Sequence, residues 1–241
     1  MSDETAIVLQ ARMGSTRLPG KVLSAIAGKP ILGHCVERLR QSGLPVIVAT
    51  TTGEEDDLVE EMAELFGARV VRGPADDVLA RFALAVSTFG LLDVIRATAD
   101  NPAVDMDAAH RCLTLLRRTG ADHVIERGLP YGTAVEAVSA SAILLAHAQA
   151  TTAADREHVT PFIRRNAQFV AIDAIAPGML RQPSLRLTVD TPDDLDFVRR
   201  VFSWLPGEGS EPASLAEIIC AADRLRSSEA AGGDTAARGT R

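Results

Sequence analysis

Short apolar runs recur along this chain with helical stretches between them, and that alternation constrains the fold more than any other feature. Residues 6–9, 46–49, 69–72, 93–98 and 122–125 carry the runs, each the length of a buried strand. Between them lie helical patterns over residues 30–39, 56–66 and 77–89, and one through His110, Leu113 and Leu116. Gly43 and Gly67 stand where the first two should stop, glycine being the residue that best ends a helix. Strands separated by helices predict an α/β fold: a mostly parallel, Rossmann-like sheet with helices on both faces. After Gly128 the pattern loosens. Strands are expected at 133–139, 169–172 and 185–190, and helices at 140–150, 155–166, 192–202 and 214–225. From Ser227 the Ser-, Ala-, Gly- and Arg-rich composition lacks apolar periodicity, which predicts one domain over 1–226 and a disordered tail over 227–241.

Composition narrows the function classes. A chain that is 46% hydrophobic over 241 residues can bury a real core, which excludes wholesale disorder. The formal net charge of −7 argues against a nucleic-acid partner. No apolar run reaches the roughly 18 residues that a membrane span needs, and the first residues lack the basic lead of a secretory signal, so a cytoplasmic protein is expected. Cys35, Cys112 and Cys220 are far apart and fit no metal or redox spacing; buried thiols are the expectation.

The most informative segment is residues 10–23, QARMGSTRLPGKVL, the loop that leaves the first strand. In an open parallel sheet, ligands bind beyond the carboxyl ends of the strands. Arg12, Arg17 and Lys21 fall together here with no acidic residue between Gln10 and Val22. Such a cluster needs a counter-anion, and a polyphosphate fits, gripped by arginine forks, a lysine and loop amides. The competing reading is a solvated basic loop. Neither a Walker A spacing nor GxGxxG is present, so the phosphate assignment rests on position and charge.

This loop resembles the signature of the cytidylyltransferases that activate acidic sugars, the 3-deoxy-manno-octulosonate and acylneuraminate enzymes, and more closely their spore-coat polysaccharide branch. Residues 72–81 (RGPADDVLAR), 156–164 (REHVTPFIR) and 185–195 (LRLTVDTPDDL) extend the resemblance across most of the chain. It implies a GT-A-like nucleotidyltransferase fold, CTP as donor, an acidic sugar-like acceptor, Mg²⁺ and a homodimer. The portion at 128–182 would serve the acceptor and the dimer contact. Gln10, Ala11, Arg12, Met13, Gly14, Ser15, Arg17, Lys21 and Arg81 would bind the nucleotide, with Arg12, Lys21 and Asp100 catalytic.

Asp100 and Asp190 each close an expected strand, and would hold the metal at the sheet edge where the cationic loop lies. A turn cap competes for Asp100. For Asp190 the following helix start is already explained: Thr191 suits the N-cap, Pro192 the first position, and Asp193 and Asp194 the positive helix end. Asp105 and Asp107 read as helix-start residues. Glu136, among small apolar neighbours on its strand face, must pair with a cation or meet a ligand; contact with the acceptor is expected. His158, read at a helix start, is assigned to the acceptor against the alternative of a surface histidine. Asp77 and Arg81 have ordinary ion-pair spacing. The expected reaction transfers CMP from CTP with release of pyrophosphate; the alternatives are a GT-A glycosyltransferase and a nucleotide-binding protein without catalysis.

Overall fold

The computed structural model describes residues 4–207 and 211–237. Strand β1 (Thr5–Gln10) is an interior strand of a seven-stranded sheet. A 3-10 turn at Lys21–Leu23 and a two-stranded hairpin, β2 (Ala25–Ile26) and β3 (Lys29–Pro30), lead into helix α1 (Ile31–Arg40). Strand β4 (Val46–Thr51), helix α2 (Asp57–Leu65) and strand β5 (Arg69–Gly73) follow. Next come α3 (Val78–Phe89), β6 (Asp93–Thr98), α4 (Ala108–Thr119) and β7 (His123–Arg127). The chain continues through β8 (Glu136–Ser139), α5 (Ala140–Gln149), α6 (Ala153–His158), α7 (Pro161–Arg165) and β9 (Ala171–Ile175). Helices α8 (Pro192–Phe202) and α9 (Leu215–Ala237) complete it.

The strand order is β5-β4-β1-β6-β8-β7-β9. Every neighbouring pair is parallel except the two that involve β8, which runs against both β6 and β7. Both faces are covered. Alternation within β1 sends Ile7 and Leu9 toward α1, α2, α4, α8 and α9, and Ala6 and Val8 toward α3, α5 and α7. Residues such as these, fully withdrawn from water on both sides, explain why the central strands read as continuous apolar runs. Among the described residues no helix is long and apolar enough to cross a membrane.

Several local expectations are corrected. The helix expected over 155–166 is broken into α6 and α7 at Val159, whose φ of 70° and ψ of −60° form a γ-turn closed by the Thr160 amide donating to the His158 carbonyl at 2.8 Å. Positive φ is costly for a β-branched residue. His158 therefore ends a helix instead of starting one. Residues 185–190 form no strand: their alternate residues Leu185, Leu187 and Val189 are buried, but their backbone bonds go to the loop residues Tyr131 and Asp100. Helix α9 runs past Ser227 to Ala237, through most of the stretch expected to be disordered; residues 238–241 lie outside the described residues. Cys35 and Cys112 are buried as expected, burial pushing the Cys112 thiol up to about 12. Cys220 is exposed.

Candidate active site

The loop after β1 is tied down at its base. The Met13 amide donates to Asp56 Oδ1 at 2.6 Å, and Asp56 Oδ2 accepts from the Thr51 hydroxyl. The Met13 carbonyl in turn accepts from the Ser15 amide at 2.9 Å and the Gly20 amide at 3.0 Å. Gly20 closes the turn with φ 69°, a conformation that suits glycine. Asp56, on the short turn before α2, is almost wholly buried, so an anionic acceptor fixes the loop from beneath. Sequence reasoning missed this residue, because an acid at a helix start is already explained locally.

Beyond Gly20 the chain brings Lys21 inward, 8% exposed. Its ammonium donates to Asp100 Oδ2 at 3.0 Å, Asp190 Oδ1 at 2.9 Å and the Val189 carbonyl at 2.8 Å. Asp100 follows β6; its carbonyl accepts from the Val189 amide at 2.8 Å, which brings the two acids side by side. Gly132 permits this approach: a Cβ there would come within 2.6 Å of the Thr188 backbone nitrogen. Asp190 Oδ1 also meets Arg17 at 3.0 Å, and Oδ2 accepts from Arg186 at 2.6 Å. Burial alone would raise the Asp190 carboxyl, but Lys21, Arg17 and Arg186 hold it below the ordinary carboxylate range. Asp194 caps α8 with Thr191 in a reciprocal box, the structural role expected of it.

Arg17, Lys21, Asp100 and Asp190 line a cleft of about 760 Å³ at the carboxyl ends of β1 and β6. Gln10, Ala11, Arg12, Gly14, Ser15 and Arg17 form one wall. Met13, also assigned to the nucleotide, does not line the cleft; its side chain packs against the core. Arg12 donates to the Ala75 carbonyl at 3.4 Å and approaches Glu157 at 3.9 Å. Arg81 lies in the cleft wall with its Nε unpaired and Nη1 donating to the Pro74 carbonyl at 3.1 Å. Burial, and then the nearby Arg12 charge, lower its pKa. The expected Asp77–Arg81 pair does not form: Asp77 accepts from the Ala80 amide and pairs with Arg156 at 3.0 Å. The compensation of the loop's charge is also corrected, since acids distant in sequence already meet Arg17 and Lys21.

On the floor, Glu136 stands opposite Arg96 across the β6–β8 ladder. Its Oε1 accepts from Arg96 at 2.5 Å, and Oε2 lies 2.6 Å from His123 Nε2. Burial would raise this carboxyl; the Arg96 charge and the bonds from His123 and Thr160 bring it down to about 2. The carboxylate is therefore committed to Arg96 and His123, and Arg96, which sequence reasoning passed over inside an apolar strand, also lines the cleft. His158 lies exposed at the rim. Among the described residues no three His, Cys, Asp or Glu side chains form a metal cage. The arrangement is a cation-walled trench with two acids at its end, built to receive a polyanion.

Comparison with known proteins agrees with that chemistry. A family model described as cytidylyltransferase matches residues 6–218. The spore coat polysaccharide biosynthesis protein SpsF of Bacillus subtilis (strain 168) is 32% identical over 231 residues, 92% of this chain and 95% of that protein. A 3-deoxy-manno-octulosonate cytidylyltransferase of Francisella philomiragia is 35% identical over 115 residues, 46% of this chain and 45% of that enzyme. Among solved structures, a cytidylyltransferase from Leptospira borgpetersenii superposes with a TM-score of 0.84 at 29% identity, covering 93% of this chain and 95% of that one. A CMP:2-keto-3-deoxy-manno-octonic acid synthetase complexed with CTP shares the fold, with a TM-score of 0.64 at 21% identity over 83% of this chain and 99% of its own.

Proposed function

The chain belongs to the cytidylyltransferase family and is a CTP-dependent nucleotidyltransferase, and from that premise we propose that it transfers CMP from CTP to a hydroxyl of an acidic, sugar-like acceptor. The observation that carries this reading is the meeting of Lys21 with Asp100 and Asp190, both within 3.0 Å of its ammonium, at the end of the cationic loop.

The acceptor oxygen forms a bond to the α-phosphorus in line with the departing oxygen, the bond to pyrophosphate breaks, and the hydroxyl proton passes to water. Catalysis of this kind is mostly positioning and charge stabilisation. Arg12 and Arg17 face the triphosphate with Ser15 and the loop amides, and Lys21 neutralises charge that grows on the leaving pyrophosphate. Arg81 and Gln10 flank the nucleotide, and the Arg81 Nε and Gln10 Oε1 are buried without partners in the protein. Arg96, held by Glu136, and the rim residue His158 face the acceptor.

The acceptors around the Lys21 ammonium are all oxygens: two carboxylates and the Val189 carbonyl. That set fits Mg²⁺, which takes one or two carboxylates and completes its shell with water and phosphate; Asp100 and Asp190 are the residues that would hold it. When bound, the ion supplies Lewis-acid neutralisation of the reacting phosphate. A homodimer joined through residues 128–182, and residence in the cytoplasm, complete the proposal.

The test incubates the enzyme with CTP, Mg²⁺ and a panel of acidic sugars and measures pyrophosphate. Release that depends on both an acceptor and CTP supports the reading; CTP turnover without any acceptor, or none with every acid, rejects it. Asp100→Asn and Asp190→Asn should each lower turnover by orders of magnitude while metal-free CTP binding stays near wild type.

A further inference from the structure

Of the chain's 25 basic side chains only Lys21 and Lys29 are lysines. One of those two occupies the centre of the site. An ammonium carries three donors on a compact point charge, whereas a guanidinium is a broad planar fork. Lys21 uses all three, on Asp100 Oδ2, Asp190 Oδ1 and the Val189 carbonyl. None is left for a phosphate. The oxygens it bonds are those that a divalent ion would take, and Asp190 has no spare face, since Arg17 shares Oδ1 and Arg186 covers Oδ2.

The geometry points to Lys21 as a built-in stand-in for the divalent ion: its ammonium fills the ion's seat and must leave that seat for the ion to enter. This inference rests on the nucleotidyl-transfer reading of the same site and adds an order of events to it. Two cations cannot share a seat of that size. An expelled ammonium needs a new anion, and the triphosphate, arriving beside the loop that carries Lys21, supplies one. The ion and the nucleotide thus favour each other through one side chain that changes partners. The same ammonium keeps Asp100 and Asp190 facing each other, which two bare carboxylates would resist.

The consequence is a sign reversal. Lys21→Met removes the competitor and keeps the aliphatic stem. Mn²⁺ alone, measured by the electron paramagnetic resonance of free Mn²⁺ with nucleotide-free protein, should then bind about tenfold more tightly or better, the scale of one or two charge-assisted hydrogen bonds. CTP without metal should bind more weakly to the same variant. Lys21→Arg, which retains a positive charge, should not tighten Mn²⁺. Adding Asp100→Asn to Lys21→Met should abolish the gain, which locates the ion. Mn²⁺ affinity unchanged or weakened in Lys21→Met overturns the inference, because a lysine that only supports the structure would lose both ligands together.

A second measurement needs no variant. With two lysines in the chain, ¹⁵N-lysine side-chain spectra of the wild-type enzyme contain one Nζ signal for each. Saturating Mg²⁺ with CTP should shift that of Lys21 and leave that of Lys29. An unmoved Lys21 signal in an enzyme that releases pyrophosphate overturns the stand-in and spares the function. The opposite pair of results, a Lys21-dependent Mn²⁺ affinity without pyrophosphate release, overturns the function and spares the stand-in.

Discussion

Replacing Glu136 by Gln separates two roles that one carboxylate can play. In the fold its two oxygens are taken by Arg96 and His123, and its carboxyl sits at about 2 against an ordinary 4.5. At about 1.4 kcal/mol per decade, that difference corresponds to roughly 3 kcal/mol of stability from the ionised form. Breaking a buried pair from one side carries a similar cost, about 3–5 kcal/mol. Because the folded value is depressed, the contribution is complete above 4.5 and is lost as the pH falls toward 2. Glu136→Gln should therefore be about 3 kcal/mol less stable than wild type at pH 7 and pH 5, with the gap shrinking to about 1.5 kcal/mol at pH 3. Urea unfolding at these three pH values measures it. A variant as stable as wild type at pH 7, or a gap that does not change with pH, would refute the argument. A raised acceptor KM with an unchanged unfolding curve would instead mean that Glu136 reaches the acceptor directly.

Two further perturbations probe the supports of the cleft. Asp56→Ala removes the anion beneath the Met13 amide; at about 1.5–3 kcal/mol for a hydrogen bond to a charged group, the KM for CTP should rise roughly 10- to 100-fold with a smaller change in kcat, and Asp56→Asn, which keeps an acceptor oxygen, should recover part of it. Steady-state kinetics decide, and an unaltered KM in the Ala variant removes the positioning role. Gly132→Ala introduces a Cβ against Thr188 and Asn101 at a φ of 92°; a loss of about 2 kcal/mol, or a Tm lower by roughly 4–8 °C, should accompany a fall in turnover as Thr188 and Asp100 separate. Melting together with wild type would show that the loop yields without cost.

Where structure is set by neighbours in sequence, it could be read in advance. Strand β6 and helix α8 fall on the expected residues, because an apolar run bounded by turn residues and a Thr-Pro-Asp-Asp helix start are local signals. The cationic loop was legible for the same reason. Direction and long-range pairing were not. Periodicity says that residues 133–139 extend but not which way they run, so the reversal of β8, which occupies Glu136–Ser139 of that span, was invisible. Burial of Leu185, Leu187 and Val189 imitates a strand although their partners are loop residues. The counter-charges of Lys21 come from 79 and 169 residues away, which is why the loop alone looked uncompensated. The break at Val159 defeats prediction by propensity, since no composition rule places valine at positive φ.

The reversed strand β8 carries an evolutionary implication. It joins the β1-centred layer to β7 and β9 through a ladder of four residue pairs, Asp93↔Ser139 to Arg96↔Glu136, and that narrow seam separates the strand bearing the cationic loop from the β7–β9 edge of the sheet. Material grafted along the β7–β9 edge, beyond that seam, leaves β1 and its loop undisturbed, so descendants of one ancestral scaffold can vary that edge while keeping the same cationic loop.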